Sequence, residues 1–148
     1  MQLSENFTLG EFLRSETAAR LGIDNTPSDE IINALRRNAA NMEGVRNVLG
    51  VPIHVSSGYR CLELNRALKS KDTSAHVHGR ATDFEAPGFG SPRAVCRQIE
   101  ASPIPFDQLI HEFGRWVHIG WAAPGEMPRR QTLTIDEHGT RNGFEAVS

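Results

Sequence analysis

No stretch of this 148-residue sequence approaches the ~20 consecutive apolar residues that a bilayer-spanning helix needs. An excess of either charge is also missing. Sixteen Lys and Arg stand against 18 Asp and Glu, a net charge of −2. That balance creates no global attraction to nucleic acid or to an anionic membrane, so neither nucleic-acid binding nor membrane insertion is expected. Cysteine is scarce: Cys61 and Cys96 stand alone, without the paired CxxC spacing of a zinc ribbon. They are expected as reduced structural thiols rather than as a disulfide or nucleophiles. The opening MQLSENFTLGEF lacks the basic-then-apolar order of a signal peptide. The expectation is therefore synthesis in the cytoplasm, with any target outside reached by another route. Repeats, low-complexity tracts and Pro/Gly/Ser linkers are absent too. With 39% hydrophobic and 23% charged residues, the chain is expected to fold as one domain over 1–148 and to act as a monomer.

Local signals suggest helices first and strands later. Thr8-Leu9-Gly10-Glu11 has the form of a capping box, in which Thr caps the helix start and Glu reaches back. Thr26-Pro27 reads as an N-cap followed by proline at the first helical position. From there Ile31, Ile32, Leu35, Ala39, Met42, Val45, Val48 and Leu49 recur at three- and four-residue spacing, and Gly50 closes the helix. Val51–Val55 reads as a short strand, Leu62–Leu68 as a short helix, Lys69–Ala75 as a loop and Arg80–Glu85 as a strand. Ser91-Pro92 opens another helix, to about Ile99. Gln108–Phe113 and Trp116–Trp121 flank Gly114-Arg115 as a hairpin, and Gln131–Ile135 adds a strand before the turn at Glu137-His138-Gly139. The fold class expected is α+β, with N-terminal helices, one of them long and amphipathic, packed on a small antiparallel sheet.

Chemistry concentrates in two segments. Ser74-Ala75-His76-Val77-His78-Gly79-Arg80-Ala81-Thr82-Asp83 is dense in metal-capable side chains, and His111-Glu112-Phe113-Gly114-Arg115-Trp116-Val117-His118 is the second cluster. Together they can offer two imidazole nitrogens, one hard oxygen and a spare carboxylate. A catalytic zinc uses such a set: three protein ligands, an open position and a base beside it. The competing reading is packed or surface histidines without a metal. Trp116, Trp121, Phe84 and Phe106 read as core or cleft wall, and Arg129-Arg130 is too short for a nucleic-acid patch.

The pattern Ser74-x-His76-x-x-Gly79-x-Ala81-x-Asp83 resembles the first zinc motif of the D-alanyl-D-alanine carboxypeptidase family of metallopeptidases, and Trp116-Val117-His118-Ile119 resembles the second. Ser57-Gly58-Tyr59-Arg60, then Leu64-Asn65, is similar to the element between long helix and zinc loop. Leu9-Gly10-Glu11-Phe12 and Gly22-Ile23-Asp24-Asn25-x-Pro27 are similar to the variant found in phage lysis and tail proteins. The resemblance spans about residues 7–121. It implies the hedgehog/DD-peptidase fold, Zn²⁺ as cofactor, and His76, Asp83 and His118 as its ligands. It implies Glu112 as general base and Arg60 as the group that binds a substrate carboxylate or the oxyanion. His78 falls on a variable position and counts as a neighbour. The family often places Glu three residues before the last histidine, where this chain has Arg115, with Glu112 six before.

Two hairpin registers are open. A two-residue loop, Gly114-Arg115, sets His111 opposite His118 and makes it a rival ligand; a three-residue loop with glycine at positive φ sets Glu112 there. A surface pairing of Glu112 with Arg115 is the bland alternative. The function that follows from the resemblance is hydrolysis of the stem peptide of bacterial peptidoglycan. It implies an L-alanyl-D-glutamate endopeptidase or D,D-carboxypeptidase, as in a phage or prophage endolysin that acts on the wall after release. The alternative is a wall-binding module of a phage tail or virion without turnover.

Overall fold

The computed structural model describes residues 1–145. Three helices come first: α1 (Leu9–Leu13), α2 (Glu16–Leu21) and α3 (Asp29–Leu49). The capping box at α1 forms as its sequence suggests. Thr8 Oγ1 accepts from the Glu11 N–H at 3.3 Å, and the Glu11 carboxylate accepts from the Thr8 N–H at 3.0 Å. Helix α3 starts later than Thr26-Pro27 suggests. The Thr26 hydroxyl already donates to Asp24 Oδ1 at 2.6 Å, and its N–H donates to the same oxygen at 2.9 Å. These two bonds hold Thr26 in a turn ahead of the helix, and Ser28 caps it, accepting from the Ile31 N–H. Gly50, at φ +70°, ends the helix as expected.

Six strands follow, interrupted by short helices: β1 (His54–Ser57), α4 (Leu62–Ala67), a 3-10 turn (Ala75–His78), β2 (Ala81–Glu85), α5 (Pro92–Glu100), β3 (Gln108–Glu112), β4 (Trp116–Gly120), β5 (Gln131–Asp136) and β6 (Gly139–Asn142). Strand β1 begins three residues beyond the expected Val51, since Pro52 has no N–H to give a ladder. The sheet order is β1-β2-β4-β3-β5-β6. The α+β class holds, but the sheet is not purely antiparallel, because β3 and β5 run parallel from Gln108↔Gln131 to Glu112↔Ile135. Their connection is long enough to return the chain to the same end of the sheet, which a tight hairpin cannot do.

The period of two along each strand divides the sheet into two faces. Val55, Phe84, Val117, Leu109 and Ile119 point to one face, where α3 brings Leu35, Ala39, Met42 and Val45 and α5 brings Val95 and Ile99. Each of these residues is at most 2% exposed. Burying a large apolar side chain of this kind contributes roughly 1.5–3 kcal/mol, so this layer carries most of the stabilisation. Ser57, Asp83, His118 and Glu112 lie on the opposite face. Asn38 of α3 joins the layers. Its amide nitrogen donates to the Gly79 and Ala81 carbonyls, and its oxygen accepts from Thr82 Oγ1 and Trp121 Nε1.

Both cysteines are free thiols, as expected. Cys61 caps α4, with Sγ accepting from the Leu64 N–H, and burial pushes the Cys96 thiol well above its usual range. Among the described residues, no helix is long and apolar enough to cross a membrane.

Candidate metal centre

His76, Asp83 and His118 come together from three elements: the 3-10 turn, β2 and β4. One ligand atom from each lies within 4.8 Å of the others, and all three residues are buried. The cross-strand pair Asp83↔His118 sets two of them side by side. The turn supplies the third. Ser74 Oγ accepts from the His76 N–H at its start, and Gly79, at φ +70°, reverses the chain into β2 at its end. The expected loop therefore stops at Ser74, because Ala75 already belongs to this turn.

The donor chemistry fits a cation. His76 Nδ1 lies 2.6 Å from the Gly58 carbonyl oxygen, which can only accept, so Nδ1 carries the proton. Nε2 then presents a lone pair 3.2 Å from Asp83 Oδ1. Two acceptors facing one another in a buried site need a positive charge between them. His118 Nδ1 approaches the same oxygen at 2.8 Å. Burial pushes the His76 imidazole down, and the nearby Asp83 only partly offsets this. His118 goes the other way: burial opposes its charge, but the hydrogen bond and charge of Asp83 raise it. Asp83 also resists its burial, and its two histidine neighbours hold it well below the usual carboxylate range.

Arg60 sits against the other oxygen of Asp83, with Nη2 at 3.3 Å from Oδ2. Its Nε donates to Ser57 Oγ at 3.2 Å and its Nη1 to Asn65 Oδ1 at 3.4 Å. Three contacts on a five-donor fork fix the guanidinium plane and leave donors over. The loop under it is tied down by Asn25. That amide donates to the Leu13 and Tyr59 carbonyls and accepts from the Cys61 N–H. The N-terminal segment is thus the frame that aims Arg60.

The β3–β4 loop has three residues, Phe113, Gly114 and Arg115, but neither expected register forms. Ile110, rather than Glu112 or His111, pairs with His118. A loop of these three residues closes on Glu112↔Trp116, and two steps along each strand set Ile110 opposite His118. Phe113 (φ +54°) and Gly114 (φ +65°) both take positive φ, and Arg115 N–H donates to the Glu112 carbonyl. Glu112 still reaches the site. It lies two residues from Ile110, hence on the same face as His118, and its Oε1 is 3.9 Å from His118 Nδ1. His111 points to the opposite face, where its Nδ1 meets the Glu145 carbonyl. His78 is not part of the ligand group. No Glu112–Arg115 ion pair forms among the described residues. Burial first, and then the charge of Asp83, push the Glu112 carboxyl up to about 7.

A family model described as Peptidase M15 matches residues 5–120, which covers all the site residues. The chain belongs to the peptidase M15 family. No curated protein matches it. It is a metallopeptidase of a zinc-dependent family, and its His–Asp–His group is suited to hold a metal ion.

The rest of the peptidase's centre is backbone and supporting amides, which residue-type patterns do not reveal. The Gly58 carbonyl, Ser57, Asn65 and Asn25 all support the site, although each lies in a segment whose resemblance was visible. Gly58 has a physical reason to be glycine. A Cβ there would fall 2.6 Å from Phe12 Cδ1 and 2.7 Å from the Phe12 carbonyl oxygen. Gly58→Ala must therefore push the loop off α1 and move the carbonyl that orients His76. The expected result is metal affinity lower by about 10- to 100-fold, as for lost supporting contacts to a ligand histidine. Competition titration with a zinc chelator measures it, and unchanged affinity would show that the carbonyl does not set His76.

Proposed function

We propose that this peptidase hydrolyses the stem peptide of bacterial peptidoglycan through one zinc ion held by His76, Asp83 and His118. One peptidase domain would span residues 1–148. The observation that carries the reading is the buried meeting of these three side chains beside a carboxylate with a raised pKa. Bound there, zinc supplies Lewis acidity. Glu112 takes a proton from the attacking water and returns it to the leaving amine. A carboxyl near neutrality suits both transfers, because it is neither too weak a base nor too weak an acid. Arg60 holds Asp83 Oδ2 and offers its remaining N–H groups to the substrate carbonyl oxygen as negative charge develops, or to a substrate carboxylate.

Within this class we favour an L-alanyl-D-glutamate endopeptidase over a D,D-carboxypeptidase. The phage-type segments Leu9–Phe12 and Gly22–Pro27 support that choice, and with it a phage or prophage endolysin acting on the wall after release, as a monomer. The test is mass spectrometry of the fragments released from defined peptidoglycan. New amino termini at D-glutamate support the endopeptidase, and loss of terminal D-alanine alone supports the carboxypeptidase. Intact peptidoglycan after incubation with zinc-loaded protein overturns hydrolysis and leaves wall binding without turnover.

Arg60→Lys keeps the charge but loses the fork geometry. We expect kcat/KM on peptidoglycan to fall about 10- to 100-fold, the effect of one or two charge-assisted hydrogen bonds. Zinc content and melting temperature should hold. Unchanged kinetics would reduce Arg60 to a structural partner of Asp83.

A further inference from the structure

A groove of about 640 Å³ lies beside the metal centre and is not lined by the three metal-capable residues. It begins at Ser57 and Arg60 and runs along β1, over Leu64 and Leu68, to Arg14 and Glu16 at the corner between α1 and α2. Strand β1 ends the sheet and pairs with β2 alone. On its outer side, among the described residues, no backbone group of His54–Ser57 is bonded to another segment. A strand edge left open along a groove that leads to Arg60 can accept the backbone of an extended peptide.

The charges in the groove favour an acidic peptide. Arg14 and Arg60 line it against Glu16 alone. Arg60 is partly used by Asp83, whereas Arg14 is exposed and forms no salt bridge among the described residues. The apolar floor is small. Leu64 is buried and Leu68 is 42% exposed, which suits methyl-sized side chains rather than aromatic ones.

We infer that this groove is the substrate channel for the acidic stem peptide. On this assignment the stem lies extended along the open edge of β1, a stem carboxylate meets Arg14, and alanine methyls rest on Leu64 and Leu68. The inference rests on the peptidoglycan reading and deepens it. Arg14 becomes the residue that selects an acidic stem, at a distance from the reacting atoms. Binding on this side fixes the direction in which the chain crosses the metal centre.

The test uses the full-length, zinc-loaded protein. Steady-state kinetics on soluble peptidoglycan fragments compare wild type, Arg14→Glu and Arg14→Lys. Arg14→Glu should raise KM about 10-fold with kcat within about twofold, the effect of losing one charge-assisted contact made equally in ground and transition states. Arg14→Lys should recover most of the loss. In parallel, Glu112→Gln protein is titrated with the stem tetrapeptide L-alanyl-γ-D-glutamyl-diaminopimelyl-D-alanine and followed by amide NMR. Shifts concentrated at His54–Ser57 support the channel. Equal KM in wild type and Arg14→Glu overturns it, as do shifts confined to the Phe113–Trp116 hairpin. Absence of turnover by the wild-type protein sinks the peptidase reading instead. Normal wild-type turnover with an indifferent Arg14 sinks the channel alone.

Discussion

His76→Ala is expected to abolish stoichiometric zinc binding and to lower kcat/KM on peptidoglycan by at least about 10³-fold. Metal Lewis acidity contributes several kcal/mol to such a barrier, and each 1.36 kcal/mol is a factor of ten. Two consequences separate this from simple unfolding. Zinc binds only the folded wild-type protein tightly, so added zinc should raise its melting temperature and leave that of the variant unmoved. His78→Ala, two residues away and outside the ligand group, should retain both zinc and activity. Metal analysis by mass spectrometry and a thermal melt read both. A full equivalent of zinc in His76→Ala would remove it from the ligand set.

Glu112→Gln should keep the zinc and lose the chemistry. Glutamine fills the same space but cannot take a proton, so kcat should drop about 10²- to 10⁴-fold. The pH profile gives a second reading of the same residue. Without metal the carboxyl sits near 7, raised by burial and by Asp83. A bound cation adds positive charge nearby and lowers it. The base works when ionised, so activity rises with pH through this pKa, and the acid limb of kcat/KM should lie below 7. In Glu112→Gln the residual activity should lose that limb. Loss of zinc from the variant would instead make Glu112 a ligand, and near-normal turnover would place the base elsewhere.

The sequence made some parts of this molecule plain and hid others for identifiable reasons. Caps were legible because they are local: Thr8 with Glu11, Ser91 before Pro92 and Gly50 after Leu49 act within one turn of chain. Thr26 misled because Asp24 holds its N–H and hydroxyl in a turn, and the helix begins only after Ser28. The hairpin register differs because a three-residue loop closes on Glu112↔Trp116 and so sets Ile110, not Glu112, opposite His118. The period of two still kept Glu112 and His118 on one face, so the candidate base reached the site through an unforeseen pairing. The parallel β3–β5 ladder left no local signal at all, since only the long connection from β4 to β5 decides it. Asn38 looks like one polar residue on an otherwise apolar helix face. Only the fold shows that α3, the zinc loop and Trp121 converge on its amide.

The two borders of the sheet are treated differently. Beyond the family match, β5 and β6 cover the flank of β3, the strand that carries Glu112. What then faces water is β6, four residues long, with Arg141 clasped to Asp136 and Glu145. A short border with charged side chains is a poor template for another chain. At β1, α1 packs against the strand, but the outer backbone groups form no hydrogen bond among the described residues. The C-terminal hairpin thus pairs the flank of β3 and leaves β1, the border beside Arg60, as an open edge on the groove side, with its outer backbone groups unbonded among the described residues.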